Sequence, residues 1–474
     1  RLNKMKNFNV FKYSFWFLII ISQISHAQIV ITNKDFSFGT TGRIGAGYSP
    51  NADGKTGRQL NLNNQGSLGG RMDQGDYVDF LPAFHFRPVV NGDSAKATKI
   101  DMQARLSFYS GGTFLGNVDS KSNQGMIIAL PEAFVEARNI MGSDWDVWAG
   151  SRWLRYDDVH IADYFYFDDH SATGWGVRHK NTRFSMFFPA AIDTAASNST
   201  PYSYTNVISG SKNLIYRQRE VFVLEQMIPF KNNIHKLKLL AEFHNVDKSG
   251  DNAMQQYKSD QGWVLGAKLN ISLKTKIAGS FNQISVRYGS GIANGGDSGN
   301  TQTWRTYGAP DEITKTYKGA YSLTAVEHIL LNLSSRWSVN AYAVYTKSRG
   351  GSGSDNKALD YYNREIFNKK SEFNTGLRAT YYFNNWFHIL SELHFATRKD
   401  GIQNPASMTK LVLAPTIVPT AERSVWARPH IRFIAEVSRY NDQAMNSLYS
   451  PFLQQSGAKR FGTYFGVRTE WWIF

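Results

Sequence analysis

No cysteine occurs among the 474 residues, so no disulfide framework holds this chain together. Beyond Gln28 no apolar run approaches the ~20 residues of a membrane-crossing helix. The mean hydropathy is −0.39, which suits either a soluble protein or a membrane β-barrel, whose strands conceal hydrophobicity by alternation. No linker, charge block or composition shift divides the chain, and no repeat recurs at solenoid or propeller periods. Neither Gly-x-Ser-x-Gly nor His-Glu-x-x-His is present. The glycine-rich piece from Gly289 to Gly299 lacks a following Gly-Lys-Ser/Thr and reads as loop rather than phosphate cradle.

What is present begins with an export signal. Arg1 is no initiator, and Met5 to Ala27 has the layout of a secretory leader. Lys6 and Lys12 give its basic region, Phe15 to Ile21 its apolar run, and Ser25-His26-Ala27 its cleavage pattern. With no cysteine at that site the chain does not read as a lipoprotein. The expected organisation is therefore residues 1–27 as leader and 28–474 as one domain. The formal charge of +15 falls to +11 once the four basic residues of 1–27 are set aside. Basic excess can signal nucleic acid, but these residues are dispersed and the chain is exported. Anionic lipid headgroups, lipopolysaccharide included, are the better partner, and no nucleic acid is expected.

Period-two alternation is the strongest pattern. Trp337, Val339, Ala341, Ala343 and Tyr345 alternate with Arg336, Ser338 and Asn340; Ile431, Phe433, Ala435 and Val437 alternate with His430, Arg432, Glu436 and Ser438. Successive strand side chains point to opposite faces, so each segment has one apolar and one polar face. Short links (Gly142–Asp144, Leu273–Lys276, Ser334-Ser335, Asn384-Asn385) alternate with long ones near residues 49–70, 110–125, 190–212, 289–318, 347–370, 398–423 and 441–459. Aromatics make up 14% of the chain and many sit near segment ends, where an interfacial girdle needs them. The fold expected is all-β, a transmembrane antiparallel β-barrel of roughly sixteen to eighteen strands, too wide for side chains alone to fill.

One stretch breaks the pattern. Trp148 to Asp168 (WAGSRWLRYDDVHIADYFYFD) starts as a strand, then gathers four carboxylates and five aromatic rings beside Arg152 and Arg155. Ionised groups supply strong hydrogen bonds to hydroxyls, while flat rings suit the C–H faces of a sugar. The same alternation also fits an ordinary strand with one wet face.

Trp148-Ala149-Gly150, Arg152, Asp158-Val159-His160, Asp163 and Tyr164 to Asp168 resemble the constriction-loop motif of the maltoporins, the sugar-specific porins of Gram-negative outer membranes. Ser424-Val425-Trp426-Ala427-Arg428-Pro429, Phe465-Gly466-Val467 with Glu470-Trp471-Trp472, and Phe38 to Gly45 with Arg43 match the same family. The resemblance spans the whole barrel and favours the upper strand count, eighteen, with one loop folded inward to narrow the pore. It implies a homotrimer without cofactor that passes oligosaccharides, linear α-glucans by default, along an aromatic track. That track would comprise Tyr77, Phe281, Phe383 and Trp472, with Phe165 facing it. Its polar partners would be Arg43, Arg71, Asp79, Asp158 and Asp163, with Tyr156 where the family is basic and Arg155 supplying the charge. His160 also matches, and a lone histidine in a packed loop reads as structural.

Departures bear on the substrate. Thr41 replaces a track tyrosine, Val135 a pore arginine and Phe165 a tyrosine. Phe114 is the one candidate for a ring lent to a neighbouring subunit, and Phe474 extends the terminus by a residue. Three other readings stand beside the sugar channel. They are a general diffusion porin, a closed receptor or adhesin, and a barrel enzyme using Asp157, Asp158, His160 and Asp163, whose carboxyls would need a fixed separation.

Overall fold

The computed structural model describes residues 29–32, 35–52, 59–88, 97–110, 126–189, 219–231, 234–248, 257–295, 305–361 and 363–473. The leader, Phe114, Phe474 and the loop expected at 190–212 lie outside them. Eighteen antiparallel strands close into a barrel. They are β1 (Phe36–Tyr48), β2 (Tyr77–Phe86), β3 (Lys99–Ser110), β4 (Met126–Arg138), β5 (Trp145–Leu154) and β6 (His170–His179). Next come β7 (Thr182–Phe187), β8 (Arg219–Phe230), β9 (His235–Val246), β10 (Asp260–Ser272), β11 (Phe281–Gly291) and β12 (Tyr321–Ser334). The last six are β13 (Trp337–Arg349), β14 (Lys369–Tyr382), β15 (Phe387–Asp400), β16 (Ala406–Ile417), β17 (His430–Tyr440) and β18 (Phe461–Ile473). Each strand pairs with its chain neighbour, and β18 returns to β1 through Thr41↔Trp472 and Arg43↔Glu470. Closure leaves no unpaired strand edge.

Alternation sets the two faces. On β17 the outward Ile431, Phe433 and Val437 are exposed, whereas His430, Arg432, Glu436 and Ser438 are buried on the inside. The outer set forms an exposed apolar band, the pattern of a barrel wall that crosses a membrane. Aromatic rings collect at both ends of the wall: Trp337 against Tyr381 at the short-turn rim, and Trp263 against Tyr288 at the long-loop rim.

Two expectations need correction. Residues 398–423, read as one long loop, contain β16. Its alternation is hidden because both faces are apolar: Leu411 and Leu413 face out, while Met408, Val412 and Ala414 face in. The inward set packs on Leu60, Leu62 and Met72 from the loop after β1. That loop is the second difference, for two segments fold into the barrel rather than one.

Candidate functional site

The first inward segment, residues 155–169, joins β5 to β6. Its apolar side chains Val159, Ile161, Tyr164 and Phe167 are buried against Val221, Val223, Leu240, Val326 and Val344 of the wall. Burying these chains is the favourable term that holds the loop inside, at about 1.5–3 kcal/mol each when fully removed from water. Its base is closed by Asp168, which accepts the backbone N–H groups of Tyr156 (3.2 Å) and Asp157 (3.1 Å). Lys238 and Lys268 hold Asp157 from β9 and β10, Lys238 at 3.1 Å. A two-residue ladder, Asp158↔Phe165 and Val159↔Tyr164, stiffens the tip, and the Tyr166 hydroxyl donates to Gln283 at 2.8 Å.

The second segment, residues 59–76, lies inside the barrel between β1 and β2. Asp73 accepts the Leu60 N–H at 2.6 Å and pairs with Lys410 of β16 at 2.9 Å, both side chains fully buried. Arg468 of β18 donates to the Met72 carbonyl at 2.6 Å. Asp163, at the tip of the first segment, pairs with Arg43 of β1 and with Arg71 of the second segment at 2.7 Å. The Asp163 backbone is left-handed, φ 43°. Burial by itself would raise the Asp163 carboxyl, but Arg71 and Arg43 outweigh it and hold the group below its ordinary range.

Between these segments and β1–β5 remains a cavity of about 520 Å³. It is lined by Tyr77, Phe165 and Trp472 of the expected track and by Arg43, Arg71, Asp79, Arg155, Tyr156, Asp158 and Asp163 of the expected polar set. Thr41 lines it too. Every one of these rings carries a guanidinium on a face: Arg43 lies 5.3 Å from Tyr77, Arg155 4.6 Å from Phe165 and Arg428 4.1 Å from Trp472. Such cation–π contacts both orient the arginine and occupy part of the ring.

Other expected residues fall elsewhere. Phe281 faces the lumen beside the His328 ring (5.1 Å), away from the cavity. Phe383 lies just past the end of β14, 61% exposed, among Tyr381 and Phe387. Tyr382 turns inward to the Ser338 hydroxyl, so its neighbour Phe383 joins the outer girdle and leaves the track. Val135 is 42% exposed on the outer face while Phe134 lines the cavity, so Val135 does not stand at a pore position. His160 is wedged between Trp426 and Trp472, each ring at 5.0 Å, with an Arg428 nitrogen at 3.1 Å. Burial, and then Arg71 and Arg428, push its ring well below the ordinary histidine range; neutral, it accepts from the arginines.

Several lining residues carried no signal in the sequence. Arg105 of β3 pairs with Asp79 (3.3 Å) and Glu132 (2.7 Å). Trp153 is held between Arg155 (3.8 Å) and Arg105 (5.0 Å). Strict alternation from Arg152 would send Trp153 outward, yet both line the cavity; the wall is irregular here, with Gly150 at φ 130°. The carboxylates once grouped as an acid/base set are dispersed, Asp157 to lysines and Asp163 to arginines. Among the described residues no group of three or more His, Asp or Glu is placed to hold a metal ion.

Among solved structures, the chain is similar to OmpT (in-vitro folded), an outer membrane protein of Vibrio cholerae (trimer form), at 10% identity and TM-score 0.31, covering 92% of this chain and 98% of that one. It is also similar to Salmonella typhi OmpF in complex with daunomycin, at 10% identity and TM-score 0.41, covering 93% and 99%. At those scores neither bears on function. The sequence model of the LamB porin family matches residues 36–472. Over that extent, with a closed barrel narrowed by inward loops, the chain belongs to the LamB porin family of channels, the maltoporins.

Proposed function

We propose that the barrel carries oligosaccharides across the outer membrane by passive diffusion, with linear α-glucans of the maltodextrin kind as the default substrate. The observation that carries this reading is the cavity itself, where Tyr77, Phe165 and Trp472 share about 520 Å³ with five arginines and as many carboxylates. Pyranose C–H faces bind aromatic surface, and hydroxyls exchange hydrogen bonds with ionised partners. Several moderate contacts suit transport, since each must release what it holds. Each subunit of a homotrimer would hold its own pore, set among lipid and lipopolysaccharide, after a leader ending at Ala27 is removed. No cofactor or energy source enters.

The test is conductance of the purified protein in a planar bilayer with maltooligosaccharides added. Saturable block that tightens with chain length supports the reading. Open channels indifferent to every sugar would establish the general diffusion porin. One observation favours that second reading: the guanidinium already seated on each ring must share it with a sugar.

A further inference from the structure

The motif Ser424 to Pro429 enters the sugar reading only through Arg428, which lies on the Trp472 ring. It forms one wall of a second, smaller cavity at the short-turn rim, where the end of β14 and the starts of β15 and β17 converge. Three guanidiniums (Arg378, Arg428, Arg432) and two imidazoles (His388, His430) line it, and no carboxylate does. Arg378, Arg432, His388 and His430 are each at most 3% exposed.

The carboxylates behind this wall are already shared. Glu392 takes Arg378 and also His394 at 3.0 Å. Glu470 is divided among Arg71 (2.7 Å), Arg432 (3.2 Å) and Arg428 (3.4 Å). Asp163 serves Arg43 and Arg71. Five guanidiniums thus draw on three carboxylates, and a buried charge without a counterpart is costly. Arg378 Nη2 and His388 Nε2 are buried with no hydrogen-bond partner. Burial lowers the Arg428 guanidinium to about 10; Glu470 opposes this, and Arg71 and Arg378 add to it.

We propose that this pocket binds a small anion, a halide or the charged end of a carboxylate or phosphate, between Arg378, His388 and the Arg428–Arg432 pair. Its free volume of about 20 Å³ admits a body near the size of one water, which excludes a sugar ring but fits a halide or one oxyanion lobe. Guanidinium N–H groups are the donors such a ligand requires, and the His388 ring joins them only when protonated. The anion completes the charge balance of the cluster that joins β18 to both inward segments.

The test is anomalous diffraction from crystals of the full folded protein grown in sodium bromide. The expected result is a bromide peak beside Arg378 Nη2 and His388 Nε2 that disappears in Arg378→Gln. Should that variant fail to fold, His388→Leu serves, with the same loss expected. An empty wild-type pocket, or a peak unchanged in the variants, overturns the proposal. Soaks then identify the source. Displacement of bromide by inorganic phosphate alone marks a free-ion site, whereas displacement by a glucuronate-terminated oligosaccharide marks a site for an acidic sugar.

Discussion

Arg71 and Glu470 stand 399 positions apart and meet in an ion pair of 2.7 Å with both side chains almost excluded from solvent. The same guanidinium reaches Asp163 at 2.7 Å. One arginine on the second inward segment therefore ties the constriction loop to the last strand. Glu470→Gln would leave Arg71, Arg428 and Arg432 facing one another without their carboxylate. Breaking a buried pair in this way costs about 3–5 kcal/mol. A lowered midpoint in denaturant unfolding, with larger and noisier single-channel conductance, is the expected outcome; an unchanged midpoint would mean the pair is not what holds the loops.

The rings divide into two groups by position. Trp472→Ala and Tyr77→Ala should each weaken maltooligosaccharide block about tenfold, the loss of ~1–1.5 kcal/mol of ring contact, with ion conductance little changed. Phe383→Ala should leave block untouched, since Phe383 sits in the outer girdle. Current-noise titration of the three variants separates these cases, and equal effects in all three would erase the distinction.

Acid should release the Asp163 and Asp73 anchors only below the ordinary carboxylate range. Burial raises Asp163 and Asp73, yet Arg71 and Arg43 in one case and Lys410 in the other outweigh it and hold both below the ordinary carboxylate range. A carboxyl depressed by folding stabilises the fold above its unfolded value, and that contribution disappears as pH falls through the folded value. The rise in conductance that follows from losing these two anchors is expected only beneath about pH 4. Asp163→Asn should show the loosened conductance at neutral pH, and a pH profile identical to wild type would remove Asp163 from the anchoring role.

Gly150 is a backbone requirement of the pore wall. Its φ is 130°, and a Cβ there would lie 2.3 Å from the Ala133 carbonyl oxygen. Gly150→Ala should destabilise the barrel by roughly 1–3 kcal/mol and displace Arg152 and Trp153, shifting ion selectivity. Thermal unfolding together with reversal potentials measures both effects; wild-type values in each would show that the strand relaxes at no cost.

Much of the barrel was legible because an apolar outer face and a polar interior enforce period two, as at Trp337 to Tyr345. It failed at Ala406–Ile417, where an inserted loop makes the inner face apolar as well. Local sequence has no means of announcing a partner more than 300 residues away. Ten of the expected site residues converge on one cavity because the motif that suggested them is itself the inward loop and its anchors. Phe383 was misplaced since strand parity ends where the turn begins. Arg105, Glu132 and Trp153 were missed because a wall residue becomes a lining residue only when the lumen beside it stays open.

The sequence by itself determined the barrel and its approximate strand number, because alternation and turn composition are local properties of the chain. The motif from Trp148 to Asp168 marked the narrowing loop through its resemblance to the maltoporins. Only the tertiary structure decided where the open lumen lies, which rings reach it and which guanidiniums cover them. Those outcomes depend on buried ion pairs such as Arg71–Glu470 and Asp73–Lys410, whose partners meet only after the barrel has closed.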